Sequence, residues 1–355
     1  MLPTGESVEA WTLRGSGGVE LEAATYGGIV TRLLVPDREG HPADVVLGFD
    51  TLEASLAGHL YFGAIIGRVA GRIADAQFFL DGKNYNPCRN DPPNHLHGGL
   101  CGFDKKVWRA AAVKRQDGAP SLRLSVCSPD GKEGYPGTVQ VDVTYTVTNN
   151  NVFLIEASAT TDRSTPFALT HHSYFNLAEE GANSVDEHEL EVHADEIVPA
   201  SAHMTPLGRL ENVAGGSSDF RFPRRLGPAI PKLFQRHGDL YRLRRSQRDG
   251  GNNPVVPAAR LVHPGSGRVR EVATTAPYLQ VYTGTALDGS LVGKSGMRYG
   301  SHAGLCLECQ RYSDGANTPE MGNTILRAGE RLCESTAYAF STTARKELIC
   351  ATEEF

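Results

Sequence analysis

The stretch "VQVDVTYTVTNNNVFLIEASAT", residues 139–160, sets Val139, Val141, Val143, Tyr145 and Val147 two apart, with polar residues between them. Apolar side chains at period two line one face of an extended strand. Asn149, Asn150 and Asn151 then supply residues that tolerate positive φ, and "VFLIEASA" resumes an extended apolar pattern. Two such runs joined by an asparagine turn predict a β-hairpin. Outward from this hairpin, short runs of the same character recur at "YLQVYTGTAL", "GLCLECQRY" and "STAYAFSTT", separated by clusters of Gly, Pro, Asn and Asp. Long helical periodicity is hard to find, and strands do not alternate with helix-length segments as a doubly wound sheet requires. The expectation is an all-β fold, an antiparallel sandwich or barrel.

The 355 residues suffice for one large all-β domain or two ordinary ones. No repeat of fixed period and no low-complexity linker cuts the chain. The Arg-, Gly- and Pro-rich segment "LYRLRRSQRDGGNNPVVPAAR", residues 240–260, reads as including a long surface loop. A hydrophobic fraction of 40%, a charged fraction of 21% and a net charge of −6 fit a soluble globular protein and give no reason to expect nucleic acid as a partner. The start "MLPTGESVEAWTLRGSG" lacks the basic and apolar regions of a secretory signal, and no stretch approaches the roughly 18 apolar residues needed to cross a bilayer. A cytoplasmic protein with no membrane association is expected. Seven scattered cysteines, an odd number, suit reduced thiols.

Four constellations carry candidate chemistry. In "LTHHSYFNL", residues 169–177, alternation puts His171 in register with the apolar Leu169, Phe175 and Leu177, and His172 in register with Thr170, Tyr174 and Asn176. His172 is therefore the functional candidate, with a structural hydrogen-bonding role as its alternative. In "NDPPNHLHGG", His95 and His97 share a face if extended, which suits either a metal pair or a rigid loop that holds one histidine over a pocket. In "GLCLECQRYSDGANTP", Glu308 sits in an apolar strand and shares its face with Cys306 and Gln310. Buried carboxylates are rare unless paired, so Glu308 reads as a general base in a cleft or as half of an ion pair with an arginine. The C-x-x-C spacing in the same strand sends its two sulfurs to opposite faces. In "GAIIGRVAGRI", Arg68 and Arg72 share a face under either periodicity, and the motif lacks the spacing of a nucleotide fingerprint. These arginines suit hydroxyl or carboxylate binding, or are surface charges.

Taken in order, "YFGAIIGRVAGRI", "LHGG", "SPDGKEGYPG", "THHSYFNL", "LQVYTGTALDG" and "GLCLECQRYSDGANTP" resemble the galactose mutarotase (aldose 1-epimerase) family. The resemblance runs from about residue 20 to the C-terminal region. It implies a single large antiparallel β-sandwich domain over residues 1–355, an open sugar cleft, and no metal or organic cofactor. Carried over by motif, the general acid falls on His172, the general base on Glu308, and substrate-holding residues on Arg72, His97 and Gln280. The substrate-binding aspartate falls on Asp239, in "RHGDLYRL". Gly71 stands where the family commonly has Asn, and His95 and His171 stand where relatives often carry small or polar residues.

The implied activity is interconversion of the α and β anomers of free hexoses such as galactose and glucose. Opening a pyranose hemiacetal removes a proton from the anomeric hydroxyl and delivers one to the ring oxygen, so a base and an acid are needed together. In this reading Glu308 accepts the hydroxyl proton while His172, protonated beforehand, donates to the ring oxygen. The alternatives are an epimerase of hexose 6-phosphates using the arginines from Arg242 to Arg248, a metal enzyme built on His95, His97 and Glu308, and a silent sugar-binding protein on the same fold. The expected partner is a small aldose, and the expected assembly a monomer or homodimer.

Overall fold

The computed structural model describes residue 2 and residues 4–57, 60–233, 238–245 and 254–344. Residues 139–160 form the hairpin that their pattern predicts. Strand Val139–Val147 runs antiparallel to Val152–Thr161, with Val147 opposite Phe153 and Val139 opposite Thr161. The five period-two residues are each no more than 2% exposed, so they are the core face of the strand. Of the three turn asparagines, Asn151 takes the positive φ, 61°. The Asn149 and Asn151 amide oxygens accept from the backbone N–H groups of Ser16 and Val19, which ties the turn to the N-terminal segment.

This hairpin lies inside a nine-stranded sheet whose spatial order is Arg109–Val113, Ser121–Ser128, Val139–Val147, Val152–Thr161, Arg331–Thr342, Arg268–Thr274, Val256–Val262, Glu189–Val192 and Arg224–Arg225. A six-stranded sheet contains Tyr174–Phe175, Leu305–Gln310, Tyr278–Tyr282, Asp239–Leu243, Ala194–Val198 and Glu211–Asn212 in that order. A four-stranded N-terminal sheet runs from Ala10–Arg14 to Pro42–Asp44. Strand neighbours in all three sheets pair antiparallel. Apolar faces packed together make a sandwich. A continuous cluster of buried side chains draws Leu21 and Leu33 from the N-terminal sheet, Val141 and Phe153 from the nine-stranded sheet, and Leu279 and Leu307 from the six-stranded sheet. This is the all-β sandwich expected from the alternation.

Two sequence expectations change in detail. The 169–177 stretch is not one strand: Thr170–His171 pairs with Ile65–Ile66, Tyr174–Phe175 pairs with Leu305–Cys306, and His172 lies between the two pieces. Part of the loop expected at 240–260 is strand, with Asp239–Leu243 at one end and Val256–Val262 at the other, while residues 246–253 lie outside the described residues. The six described cysteines are free thiols, as the scattered spacing implied.

Candidate active site

Strand Leu305–Gln310 is buried along its whole length and brings Glu308 to the floor of a cleft of about 200 Å³. Across the ladder Glu308 stands opposite Gln280 on strand Tyr278–Tyr282. His172 reaches the same floor from the break between its two strand pieces, held by backbone hydrogen bonds with Gly63 and Ala64 on either side. Its Nε2 lies 3.7 Å from Glu308 Oε2, with the two side chains 5% and 3% exposed. His172 Nδ1 faces the Cys306 sulfur at 3.6 Å. A thiol donating to Nδ1 leaves the imidazole proton on Nε2, the side turned to Glu308.

Arg72 and His97 complete the wall. Strand Arg72–Ile73 pairs with His95–Leu96, and Gly71 and His97 exchange two bonds just beyond it. The His97 N–H donates to the Gly71 carbonyl at 3.0 Å, and the Gly71 N–H donates to His97 Nδ1 at 3.1 Å. An accepting Nδ1 puts the proton of a neutral His97 on Nε2, making it a donor. Burial, reinforced by the charges of His172 and Arg72, pushes the His97 pKa well below its usual value and keeps the ring neutral. Arg72 Nε donates to Asp91 at 2.6 Å, which fixes the guanidinium at the cleft edge. Tyr61, Tyr174 and Tyr282 add aromatic surface to the wall, and the Tyr61 ring packs 4.8 Å from His97 and 5.7 Å from His172.

Of the six residues singled out by sequence, His172, Glu308, Arg72, His97 and Gln280 converge on this cleft. Asp239 is placed differently. Leu240, the partner of Gln280 across the ladder, lines the cleft, so its neighbour Asp239 alternates away, and its carboxylate accepts from Ser218 Oγ at 2.6 Å. Arg68 and Arg72 also part company. Gly71, with φ at 77°, turns the chain between them, so neither strand nor helix periodicity applies. Arg68 is buried and donates to the carbonyls of Ser128, Pro129, Pro136 and Gly137, a structural role. His95 is structural as well: its Nδ1–H donates to the Cys88 carbonyl at 2.8 Å, and Nε2 accepts from the Tyr135 hydroxyl at 2.7 Å. Both of its nitrogens are taken, so His95 and His97 do not form a metal pair. His171 faces the opposite way from His172, among Tyr145, Phe153 and Tyr338.

Among the described residues no arginine ion-pairs with Glu308, and Arg72, which shares the cleft, is bound to Asp91. Desolvation raises its pKa to about 8, offset only in part by the charge of Arg72. Desolvation lowers that of His172 to about 4. Burial thus favours the neutral form of each group, and between these values the pair holds one proton. Among the described residues, His172, Cys306 and Glu308 are close enough to share a metal ion, as are the more exposed Asp37, Glu39 and His41. Burial pushes the Cys306 thiol well above its usual range, so it is protonated where no cation faces it. Cys306, Gln310 and Ser313 also reach this region. The first two alternate in phase with Glu308; nothing in the local pattern marked Ser313 or Asp91.

A buried carboxyl and imidazole facing each other, with hydrogen-bond donors such as neutral His97 and the Arg72 guanidinium around an open cleft, suit acid–base work on a hydroxyl-rich molecule. The aldose 1-epimerase family model matches residues 9–339 of the chain. The chain belongs to the aldose 1-epimerase family. It is 40% identical over 341 residues to galactose mutarotase of Bos taurus, covering 96% of each chain. It is 32% identical over 348 residues to aldose 1-epimerase of Escherichia coli K12, covering 96% of this chain and 97% of that one. In structure it resembles an aldose epimerase homologue from C. elegans, with a TM-score of 0.87, 29% identity, and coverage of 95% of this chain and all of the other. The activity is that of an isomerase, an aldose 1-epimerase acting on a sugar.

Proposed function

We propose that this aldose 1-epimerase equilibrates the anomers of free hexoses such as galactose and glucose, with Glu308 and His172 as base and acid and with Arg72, His97 and Gln280 holding the sugar. The observation that supports the assignment is the buried approach of His172 Nε2 to Glu308 Oε2 at 3.7 Å on the floor of the cleft. In the imidazolium–carboxylate form of the pair, Glu308 takes the anomeric hydroxyl proton and His172 gives its proton to the ring oxygen. The pair is then neutral on both sides and the sugar is an open aldehyde. Rotation about C1–C2 and closure on the other face return both protons, so the enzyme ends as it began.

Burial favours the opening step. Two charges in a desolvated site are costly, and ring opening cancels them. The neutral pair favoured by the empty cleft carries the same charges as the pair beside the open-chain intermediate, where the imidazole proton sits on Nδ1 because Nε2 has given up its own. The pair needs no proton from solvent in either direction, because its single proton only changes sides. Neutral His97 and the fixed Arg72 guanidinium supply donors to sugar oxygens without adding a carboxylate that would compete for the proton.

Polarimetry of freshly dissolved α-D-galactose and α-D-glucose tests the reading. Wild type accelerates equilibration, EDTA has no effect, and His172→Ala and Glu308→Ala each lose about 10²- to 10⁴-fold. Acceleration confined to hexose 6-phosphates would replace this reading with the phosphate one. Against that alternative, the described arginines of the 242–248 segment are already engaged. Arg242 pairs with Glu196, Arg244 with Asp195, and Arg245 donates to the carbonyls of Thr275 and Ala276, while Arg248 lies outside the described residues.

A further inference from the structure

Two polar side chains on the cleft wall open onto the cleft with no hydrogen-bond partner among the described residues. Gln310 and Ser313 are 3% and 4% exposed, both line the cleft, and neither side chain hydrogen-bonds to a group among the described residues. Their polar atoms are not sealed away from the cleft, so the hydrogen bonds that the fold leaves open there are offered to whatever enters it. Gln310 follows Glu308 by two positions on the same strand, which puts it on the same face and about 7 Å further along.

Gly71 creates the room for them. A Cβ at residue 71 would lie 2.7 Å from Ser313 Cβ, 3.0 Å from its Oγ and 3.5 Å from Gln310 Nε2. Any side chain at this position would have to take the space where Ser313 now sits. The chain carries the polar group on the opposite wall instead. The same Gly71 exchanges backbone hydrogen bonds with His97, so the open corner is fixed relative to a donor on the wall.

We propose that Ser313 Oγ and the Gln310 amide form a hydroxyl-binding subsite, in the space vacated at Gly71, that recognises one ring hydroxyl of the aldose away from the anomeric centre. This rests on the aldose 1-epimerase reading of the cleft. A hydroxyl and a primary amide each offer donor and acceptor, which matches a sugar hydroxyl and leaves no charge to grip. A sugar lacking that hydroxyl would leave both groups buried and unpaired, and discrimination built this way exceeds what an apolar pocket achieves.

The test is anomer exchange by NMR for wild type, Ser313→Ala and Gln310→Met on galactose, glucose and a series of monodeoxy sugars. Ser313→Ala should lower kcat/KM about 10-fold, through KM, for every sugar that carries the recognised hydroxyl. One deoxy sugar should react equally with wild type and Ser313→Ala, and it should also be the poorest substrate of the wild type. Gln310→Met should spare the same deoxy sugar, and both variants should melt at the wild-type temperature. Equal losses on every sugar, or no loss on any, overturn the subsite while leaving the epimerase reading in place. A wild type inert on all the sugars overturns the epimerase reading itself, and the subsite with it.

Discussion

The carboxyl of Glu308 and the imidazole of His172 are pushed toward their neutral forms from opposite ends of the pH scale, to about 8 and about 4. Because they interact, the pair titrates as one unit with two steps. Below the lower step both groups are protonated and no base remains; above the upper step neither is, and no acid remains. kcat/KM, corrected for spontaneous mutarotation, should therefore rise through about pH 4 and fall through about pH 8. An isolated carboxylate and histidine with ordinary values of 4.5 and 6.5 would place the alkaline limb near 6.5 instead. The alkaline limb is the diagnostic one, and a fall centred on 6.5 would contradict the shared, desolvated proton. At this scale the sequence was informative about His172, because alternation from Leu169 and Phe175 separates neighbouring histidines even though the strand is broken between them. It was silent on protonation, which depends on burial that no local pattern encodes.

At the level of elements, the cleft is held open by connections between strands as much as by strands. Arg68 is the clearest case: its guanidinium gathers carbonyls from the 128–137 segment and the Thr165 hydroxyl. Truncation leaves several buried carbonyls without a donor, so Arg68→Ala should cost about 3 kcal/mol or more of stability in urea unfolding. Because Arg68 does not line the cleft, KM in surviving enzyme should change little; a large KM effect with no loss of stability would assign Arg68 to the substrate instead. Elements with clean period-two alternation, such as Val139–Val147, were legible because one buried face forces the pattern. The divergence of Arg68 and Arg72 was not, since it depends on a glycine turn. Nor was the orientation of Asp239, which is set by the register that puts Leu240 opposite Gln280. Ser313 matters only because Gly71, more than 200 residues earlier in sequence, approaches it.

For the whole molecule, one apolar cluster joins the three larger sheets, so we propose that the described fold unfolds as a single domain, with coincident transitions by fluorescence and circular dichroism. Two separated transitions would contradict this. Its pH dependence follows from buried groups. Desolvation lowers His171 and His188 to about 3 and His172 to about 4, from an ordinary 6.5. Their contribution to stability is complete above 6.5 and is lost as pH falls toward those values, because the unfolded chain binds protons that the fold refuses. Glu308 acts in the other direction: its contribution is complete below 4.5 and is lost as pH rises through about 8. On the acid side these three histidines, joined by His95, His97 and His263, which burial also lowers, outweigh Glu308 and the raised carboxyls of Asp314, Asp239 and Glu180; above 6.5 Glu308 acts without the histidines. The melting temperature should peak near pH 6.5 and fall more steeply toward acid than toward pH 8. A melting temperature that climbs steadily from pH 6.5 to 8 would contradict the placement of Glu308.

If His172 and Glu308 act as one unit on the anomeric centre, anomer exchange on galactose by the single and double variants shows it. Groups that share one proton fail together. His172→Asn and Glu308→Gln should each lose about 10²- to 10⁴-fold, and the double variant should be no slower than the slower single one. If the two losses multiply, or if either single variant keeps near-wild-type exchange, the pair is not the catalytic unit.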